Sequence, residues 1–509
     1  MRQKYSYLLI CILLIKAVLM ICWIQFSSLQ LAPDEAQYWT WSQYIDWGYY
    51  SKPPAIAWEI WLGTKLFGDT VLGVRIGAVV LSFLISLSVY WLAVSAGLKE
   101  RTAFWAGLIS ALSPMGFFAS YYATTDVGMV LFWILSCLVV VKALHSQTRP
   151  HYLLLGLLVG FGALFKWPIY LIWVLVFCTM IVISVLRSWW IIPGVFISLL
   201  GLLPTIVWNA ERGWPTFQHV WTTMLGGSAV VKKTALFQGN FFDFLGAQAA
   251  LISPIFFVLL LIAFVTLFRK WRKVPLPIKF CGIVSFLILL VYQTLSLFQK
   301  MQGNWCVFVY PTATVFLVWY LCEFVSWGRK WLYVGLSVSL LLVGLIFSIP
   351  MGQMYNWGPM IAPKLNRLNE CMGWNHIAAG LEDVDYDPDK QFLVSDTYQM
   401  SSLLSFYAPG QKRAYFLNLE GRRKNQFSYW PSLADERLGQ SGFFVAYVEI
   451  PMKETTEERY QTALEPYFKN VRYLGMAPLL YAYGELRKVM LIYYCEDYNG
   501  SSPEDANIY

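Results

Sequence analysis

Apolar residues fill most of the first 350 positions in long runs that few charges interrupt. A run of about 20 residues crosses the roughly 30 Å hydrocarbon core of a bilayer as a helix. The pattern therefore predicts eleven transmembrane helices, at residues 7–27, 71–96, 103–121, 124–144, 152–166, 167–186, 190–208, 244–268, 278–297, 305–327 and 331–350. The cut inside 152–186 falls beside Pro168, which fits the first turn of a new helix. One long helix there would instead move every later loop to the other side of the membrane.

After Pro350 the apolar runs become short and alternate with polar residues. This pattern is typical of a soluble α/β domain. Strands are predicted at 391–395, 414–417 and 442–450, and helices at 397–407 and 454–468.

The predicted fold class is thus a polytopic α-helical membrane protein with a C-terminal soluble α/β domain. We place the membrane domain at 1–350 and the α/β domain at 351–509. Two long loops, at 28–70 and 209–243, interrupt the membrane domain and are rich in Trp, Tyr and Phe. Aromatic residues favour the membrane interface, so we expect interfacial or re-entrant helices in these loops.

Composition excludes the soluble alternatives, since 58% of the 509 residues are hydrophobic and 13% are charged. The net charge of +8 divides into +13 over residues 1–350 and −5 over residues 351–509. Basic residues that flank spans report orientation, so the positive total does not indicate a nucleic-acid partner. Of nine cysteines, only Cys371 and Cys495 lie in the tail, where an oxidising compartment allows one disulfide and a reducing one allows none.

The distribution of charge also predicts the orientation. A cytosolic N-terminus places 14 of the 23 basic residues of the membrane domain on the cytosolic side. The same orientation leaves only Glu100 and Glu323, of ten acidic residues, on that side. Because the first apolar run is longer than a typical signal-peptide core, we expect an uncleaved first span. Chemistry is therefore expected at the outer face, with the C-terminal domain also outside.

The first long loop offers the clearest candidates for catalysis. Asp34 and Glu35 follow the first span directly, and Lys52 precedes Pro53 and Pro54. A carboxylate base and a cation would then share one membrane interface, with the prolines fixing the backbone after Lys52. The alternative is that both carboxylates cap the next helix and Lys52 extends to the lipid headgroups.

Other ionisable residues lie at or within predicted spans. Asp126 and Lys166 lie at outer span ends, where such groups are costly unless they face a polar cavity. Lys16 has no acidic neighbour in sequence and is expected to contact a neighbouring helix or the headgroups. His219 is a lone histidine, which is a weak indication of metal binding.

Two further cations, Arg212 and Lys300, lie in outer loops and have the chemistry to meet a phosphate. Contact with lipid headgroups explains each of them equally simply. A glycine-rich nucleotide loop, a cysteine-pair metal site and a nucleophile elbow are all missing from the sequence.

Several of these residues stand in motifs that resemble one family. The motifs are Asp34-Glu35-Ala-Gln-Tyr38, Tyr49–Pro54, Thr125-Asp126, Phe165-Lys166, Trp208–Trp214 and Gly303-Asn-Trp305, with Ser395–Gln399, Phe406–Gly410, Gly421–Gln426 and Trp430-Pro431 in the tail. In their order, and in the side of the membrane on which they are predicted, they resemble bacterial family 39-type glycosyltransferases. These are GT-C enzymes related to protein O-mannosyltransferases and to the lipid A aminoarabinose transferase.

The resemblance implies an inverting transfer of a sugar from a polyprenyl-phosphate carrier to an envelope acceptor such as lipid A, a glycan or a protein. It places the enzyme in a bacterial inner membrane, with the lipid bilayer as its other partner. By resemblance, Asp34 and Glu35 are the catalytic carboxylates, with Asp34 the base. The implied phosphate-binding cations are Lys52, Lys166, Arg212 and Lys300, and the residues that order the site are Asp126, Tyr38, Asn209 and Trp305.

One departure concerns metal binding. The aminoarabinose transferases have an acidic residue before the Lys of the Lys-Pro-Pro run, and that residue helps to hold a metal. Here the position is Ser51, which does not favour a divalent metal but leaves one open, and no other cofactor is predicted.

Two rival classes share some of these features. A transporter or flippase of a lipid-linked sugar would also have many spans, but such proteins often show internal repeats, and this sequence has none that we detect. A non-catalytic assembly or sensor protein would leave the loop carboxylates without a role.

Overall fold

The computed structural model describes residues 4–224, 238–357 and 367–503. The middle of the predicted loop 209–243 therefore lies outside the described residues, as do two short parts of the predicted domain 351–509. The described part is mostly helical, with one β-sheet near the C-terminus.

Seventeen α-helices lie between Lys4 and Tyr355 in the described residues. They are α1 (Lys4–Phe26), α2 (Pro33–Gln43), α3 (Ala55–Phe67), α4 (Val71–Ser95), α5 (Glu100–Leu112), α6 (Pro114–Phe118), α7 (Thr125–Ser146), α8 (Tyr152–Ala163), α9 (Leu171–Val182), α10 (Ile191–Leu199), α11 (Leu203–Ala210), α12 (Pro215–Met224), α13 (Phe241–Ile252), α14 (Pro254–Arg269), α15 (Leu276–Phe298), α16 (Tyr310–Trp319) and α17 (Gly328–Tyr355). Short 3-10 turns join several of them, among them Trp167–Tyr170 and Gly303–Val309.

Seven of the described helices are long and apolar enough to cross a membrane, or eight if the bent pair α13 and α14 forms one span. They are α1, α4, α7, α15, α17 and the composite helices Ile191–Ala210 and Gly303–Phe324. The axis turns by 105° between α13 and α14. The prediction of a polytopic helical membrane protein is confirmed.

Fewer than eleven of the described helices are long enough to cross a membrane. The run 103–121 divides into α5 and α6, and the runs 152–166 and 167–186 become α8 and α9. Helices of 12–13 residues are only about 18–20 Å long, so they need their flanking turns to cross a bilayer. Proline explains two of the breaks, because Pro114 and Pro168 each stand in the first turn of a new segment.

Small residues let two short helices of this region pack closely. A Cβ atom on Gly156 of α8 would lie 2.2 Å from the Gly194 carbonyl oxygen of α10. A Cβ on Gly201 would lie 2.1 Å from the carbonyl oxygen of Gly160. Such glycine contacts replace side-chain packing between helices in a bilayer. They fix α8, the helix that leads to Lys166.

Lys16 lies in the middle of α1 and is buried. Its ammonium donates hydrogen bonds to the Gly116 carbonyl oxygen at 2.7 Å and to Ser82 Oγ at 3.3 Å. Of the two predicted environments, contact with a neighbouring helix is the one observed.

The C-terminal domain is built around a five-stranded sheet in the order β2-β1-β3-β5-β4. Its elements are α18 (His376–Glu382), β1 (Phe392–Ser395), α19 (Tyr398–Tyr407), β2 (Tyr415–Phe416), α20 (Leu433–Glu436), β3 (Gly442–Glu449), α21 (Thr456–Leu464), β4 (Phe468–Ala482) and β5 (Glu485–Tyr498). β1 pairs in parallel with β2 and β3, and β3 pairs antiparallel with β5. The predicted α/β domain is confirmed.

The hairpin of β4 and β5 was missed by the sequence analysis. Gly475 and Pro478 interrupt the alternation in β4, and the register shifts beside both residues. The turn carries Tyr483 and Gly484, with φ values of 54° and 77°. Two successive positive φ values are characteristic of a type I′ hairpin turn, and the Tyr-Gly pair is a weak sequence signal for one.

The C-terminal domain packs directly on the first long loop. Trp39 of α2 and Phe406 of α19 stack edge-to-face, with ring centroids 4.9 Å apart. Both belong to one continuous apolar core that also contains Leu403 and Ile492. The loop and the domain therefore share a core.

Neither tail cysteine is in a disulfide. Cys371 and Cys495 are both free and buried, and they belong to separate apolar clusters. The Cys371 thiol instead lies 3.4 Å from the Tyr122 hydroxyl. Of the two states that the sequence left open, the structure has the reduced one.

Candidate functional site

A cavity of about 950 Å³ opens among the elements of the membrane domain, and one of its lining residues, Glu370, comes from the tail. Its walls come from α2, the loop before α3, the start of α7, the turn between α8 and α9, α12, α15 and the turn at Gly303–Val309. Seven of the predicted site residues line it, namely Asp34, Glu35, Tyr38, Lys52, Asp126, Lys166 and Trp305.

Asp34 stands in the first turn of α2, one residue after Pro33. Its side chain is accessible from the cavity, and the cavity walls surround it. Burial raises the pKa of the Asp34 carboxyl, while the positive charges of Lys52 and Arg423 act in the opposite direction. Among the described residues this carboxylate has no ion pair, so it is available to accept a proton.

Glu35 has a different environment although it is the next residue. It accepts hydrogen bonds from Arg75 Nε and Nη2 at 2.9 and 2.6 Å. It also accepts from the backbone N–H groups of Ala32 and Ala123, at 2.9 and 3.0 Å. Four donors satisfy its oxygens, and the Arg75 side chain is fully buried. Glu35 therefore joins α2, α4 and the loop before α7.

Lys52 is held by the backbone on both sides. The Tyr49 N–H donates to the Lys52 carbonyl oxygen at 3.2 Å, and α3 begins after Pro53 and Pro54. The first N–H of α3, from Ala55, donates to the Leu164 carbonyl oxygen at 3.0 Å. This last contact brings the loop next to the segment that carries Lys166.

The Lys52 ammonium is a cation without a salt-bridge partner in the part of the chain that the structure describes. Burial lowers the pKa of Lys52, and the neighbouring positive charge of Lys166 lowers it further. The carboxylates of Asp126 and Asp34 act in the opposite direction. An anion bound here would satisfy this charge.

Asp126 and Lys166 also line the cavity and form an ion pair, with Nζ and Oδ1 2.7 Å apart. Asp126 lies in the first turn of α7, where the helix dipole favours a carboxylate. Asn304 Nδ2 donates to its second oxygen at 2.9 Å. Asp126 therefore orients both a cation and an amide toward the cavity.

Three predicted site residues lie away from the cavity walls. Arg212 contacts Asp46 at 3.4 Å and Glu211 at 2.9 Å, and its guanidinium packs over the Trp208 ring. Lys300 is exposed and is absent from the cavity lining. The sequence analysis assigned Arg212 to phosphate binding because it is a cation in an outer loop. Sequence order does not show that Asp46 and Glu211 neutralise its charge.

Asn209 does not line the cavity but is hydrogen-bonded to a residue that does. Its amide exchanges two hydrogen bonds of 2.9 Å with Thr216, which lines the cavity. The Thr216 hydroxyl then donates to the Tyr49 carbonyl oxygen at 3.0 Å. The second loop is thereby joined to the first through buried polar contacts.

Arg75 was not singled out by the sequence analysis, although its signal was available. A charged residue inside the apolar run 71–96 is costly unless it is paired, so it marks a buried polar site. Besides Glu35, Arg75 Nη2 donates to the Gln30 carbonyl oxygen at 2.7 Å, and its guanidinium lies 4.0 Å from the Tyr121 ring centre.

The cavity residues do not fit a metal ion. Within residues 4–224, 238–357 and 367–503, no three His, Cys, Asp or Glu side chains converge in a ligating arrangement. His219 does line the cavity, but its ring packs on Tyr50 with centroids 5.0 Å apart. Burial lowers the pKa of His219 to about 4, and the charges of Arg423 and Lys52 contribute.

Comparison with known proteins identifies relatives of this arrangement. Residues 51–208 match the family described as dolichyl-phosphate-mannose-protein mannosyltransferase. The lipid A galacturonosyltransferase RgtD of Rhizobium johnstonii is 25% identical over 336 residues, which is 63% of this chain and 66% of RgtD. The undecaprenyl phosphate-alpha-4-amino-4-deoxy-L-arabinose arabinosyl transferase of Erwinia tasmaniensis is 30% identical over 151 residues, 26% of this chain and 27% of that protein. The matched parts are thus less than two thirds of either relative.

The fold extends further than these matches. The crystal structure of ArnT from Cupriavidus metallidurans in the apo state aligns with a TM-score of 0.63 at 14% identity, covering 96% of this chain and 98% of ArnT. The same protein bound to undecaprenyl phosphate aligns with a TM-score of 0.62 at 15% identity, covering 97% and 98%. Both the membrane helices and the C-terminal domain therefore share one known architecture.

Proposed function

We propose that the chain is a GT-C glycosyltransferase and that it transfers a sugar from a polyprenyl-phosphate carrier to an acceptor in the cell envelope. The similarities to the mannosyltransferase family, RgtD and ArnT support this proposal. Undecaprenyl phosphate is the proposed carrier, since it is bound in one of the similar structures and named in one of the relatives. Lipid A is the proposed acceptor, following the name of RgtD.

One observation carries this proposal. A single cavity holds the Asp126–Lys166 pair together with a carboxylate at Asp34 and a cation at Lys52, neither of which forms an ion pair with another described residue. Transfer from a phosphate carrier needs a base for the acceptor and cations for the departing phosphate. A binding or transport site needs no such base.

The cavity also has an apolar side that suits the lipid part of the donor. Leu171 and Val174 of α9 face it, as do Val291 and Leu295 of α15. Val174 is 58% and Val291 53% exposed, so this wall continues onto the surface that contacts lipid. A polyprenyl chain bound there would keep its phosphate at Lys52 and Lys166.

The proposed reaction is a single displacement. An acceptor oxygen attacks the anomeric carbon as the bond from that carbon to the phosphate oxygen breaks, which inverts the configuration. Asp34 accepts the proton of the acceptor, and Lys52 and Lys166 stabilise the charge that develops on the polyprenyl phosphate. Glu35 and Asp126 keep the reacting groups in position.

The proposed topology places this chemistry outside the cell. The protein lies in the inner membrane with a cytoplasmic N-terminus, eleven spans and an extracytoplasmic domain from about residue 351. A reporter fused at Gly410 tests this arrangement. Strong activity of a reporter that works only in the cytosol would overturn the proposed orientation.

Mass spectrometry of the envelope tests the reaction itself. Lipid A from a deletion strain should lose the mass of one sugar relative to lipid A from the parent strain. Re-expression of the wild-type chain should restore that mass, whereas Asp34→Asn should not. Lipid A of identical mass in all four strains would refute the proposed acceptor.

A further inference from the structure

The turn at Gly303–Val309 forms one part of the cavity wall. Asn304 and Trp305 line the cavity there. Asn304 Nδ2 donates to Asp126 Oδ2 at 2.9 Å, and the other oxygen of Asp126 pairs with Lys166. The position of this turn therefore affects the geometry of the Asp126–Lys166 pair.

Helix α13 holds this turn, although it contributes no residue to the cavity lining among the described residues. The fully buried residues of α13 are Phe244, Gln248 and Ile252, which are spaced four apart and so share one face of the helix. Gln248 is thus a polar residue in the middle of an apolar stripe. A buried amide is costly there unless its groups are hydrogen-bonded, so its partners indicate its role.

The Gln248 amide bonds the segment 303–310 through both its nitrogen and its oxygen. Its Nε2 donates to the Gly303 carbonyl oxygen at 3.0 Å. Its Oε1 accepts from the Tyr310 hydroxyl at 2.7 Å and from the Cys306 thiol at 3.2 Å. One side chain therefore holds the first residue of the turn, its middle and the first residue of α16.

Close packing and a second amide hold the same backbone. A Cβ on Gly303 would lie 2.9 Å from the Ala247 Cβ, so this glycine lets the turn pack against α13. Asn240, just before α13, accepts from the Met301 N–H at 2.8 Å and donates to the Met301 carbonyl oxygen at 2.9 Å. The backbone immediately before Asn304 is therefore fixed to α13.

We propose that Gln248 is a positioning residue for the donor-phosphate site. It fixes the turn that carries Asn304, and Asn304 holds Asp126 in its pair with Lys166. This inference rests on the proposed function, because it extends the assigned phosphate site to a residue outside the described cavity lining. Small displacements matter in such a site, since a misplacement of about 1 Å can cost about 10²-fold in rate.

A double-mutant cycle on the purified full-length protein in detergent tests this assignment, with undecaprenyl phosphate as the probe. Gln248→Met keeps an unbranched side chain of similar length and removes its hydrogen bonds. It should weaken binding of undecaprenyl phosphate about 5- to 30-fold, within the range for residues coupled in one hydrogen-bond network. Asn304→Ala should weaken binding to a similar extent, and the double variant should bind no more weakly than Asn304→Ala alone.

Ser285→Ala is the matched control. It removes a buried hydrogen bond of 2.9 Å between Ser285 and Thr312, which joins α15 to α16 through residues outside the described cavity lining. Its Tm should fall, and its folded form should bind undecaprenyl phosphate like the wild type. A purely structural role for Gln248 predicts this same result for Gln248→Met.

A methyl exchange tests the same contact without changing Gln248. Gly303→Ala places a Cβ 2.9 Å from the Ala247 Cβ, so it should move the turn away from α13 and weaken binding of undecaprenyl phosphate. Ala247→Gly in the Gly303→Ala background removes the clash and should restore part of the affinity.

The remaining outcomes separate the two proposals. Additive effects of Gln248→Met and Asn304→Ala would overturn the inference, as would wild-type affinity in Gln248→Met. If Gln248→Met does not fold, wild-type affinity in Gly303→Ala decides in the same way. A wild-type protein that does not bind undecaprenyl phosphate would instead refute the proposed carrier, and with it the donor-phosphate site on which this inference rests.

Discussion

The two faces of α2 carry neighbouring carboxylates with opposite surroundings. Glu35 faces inward to Arg75 and receives four hydrogen bonds, whereas Asp34 faces the cavity and is free of ion pairs among the described residues. Consecutive residues on a helix point about 100° apart, so one turn can serve both a structural and a chemical purpose. In α2, the paired carboxylate joins elements of the structure, and the carboxylate without an ion pair faces the cavity.

We expect the largest loss of activity from a substitution of Asp34, the carboxylate of α2 that faces the cavity. Asp34→Asn keeps the size and polarity of the side chain but removes its ability to accept a proton. Turnover should fall by about 10²–10⁴-fold, the usual contribution of general acid–base catalysis. The assay is transfer from the polyprenyl-phosphate sugar that the envelope analysis identifies.

Asp243→Asn, an exposed aspartate in the first turn of α13, is the matched control and should retain wild-type turnover. If folded Asp34→Asn kept normal turnover and Glu35→Gln were inactive, Glu35 and not Asp34 would be the base.

On the inward face, Arg75→Ala should mainly affect stability. Removing one partner of a buried ion pair leaves the other charge unsatisfied and typically costs about 3–5 kcal/mol. Thermal unfolding in detergent should show a marked drop in Tm, and Glu35→Gln in the Arg75→Ala background should recover part of it. A change in Tm no larger than that of a surface variant would mean that the Glu35–Arg75 pair does not support the frame.

Lys52→Ala removes a cation that we assign to the donor phosphate. Loss of a charged hydrogen-bond donor should lower kcat/KM by roughly 10- to 100-fold.

The pH profile of kcat/KM should change as well in Lys52→Ala. Asp34 is active when deprotonated, and its pKa is raised by burial but held down by Lys52. Without Lys52 the pKa should rise further, so the acid limb of kcat/KM should move to higher pH. If the acid limb stayed in place or moved to lower pH, Lys52 would not be holding down the pKa of the base.

The smallest effect is expected for Arg212→Ala. Arg212 lies in a partly exposed ion pair with Asp46, and such pairs typically contribute about 0–1 kcal/mol. Donor KM should therefore remain within about twofold of the wild-type value, and Tm should fall slightly. A tenfold rise in donor KM would return Arg212 to the phosphate-binding group proposed from the sequence.

The sequence predicted part of the site because certain residue types are costly in a membrane wherever they occur. Asp126 and Lys166 stood out as charges at span ends, and Lys52 stood out as a cation in the first long loop. All three line the cavity. Arg212 and Lys300 do not line the cavity, because nearness along a loop does not determine where a long side chain points. Their phosphate-binding role stays a prediction. The hairpin of β4 and β5 was missed because Gly475 and Pro478 break the alternation on which strand prediction depends.

By itself, the sequence determined the apolar runs, the change of composition near Pro350 and the identity of the candidate charges. These follow from local hydrophobicity, which sets what a segment can bury. Only the tertiary structure decided which charges are paired, because pairing joins residues far apart in the chain. Glu35 meets Arg75 forty residues later, and Asp126 meets Asn304 across 178 residues. Partner choice therefore separates Asp34 from Glu35, since the electrostatic energy of a buried group depends on what lies within a few ångströms in space.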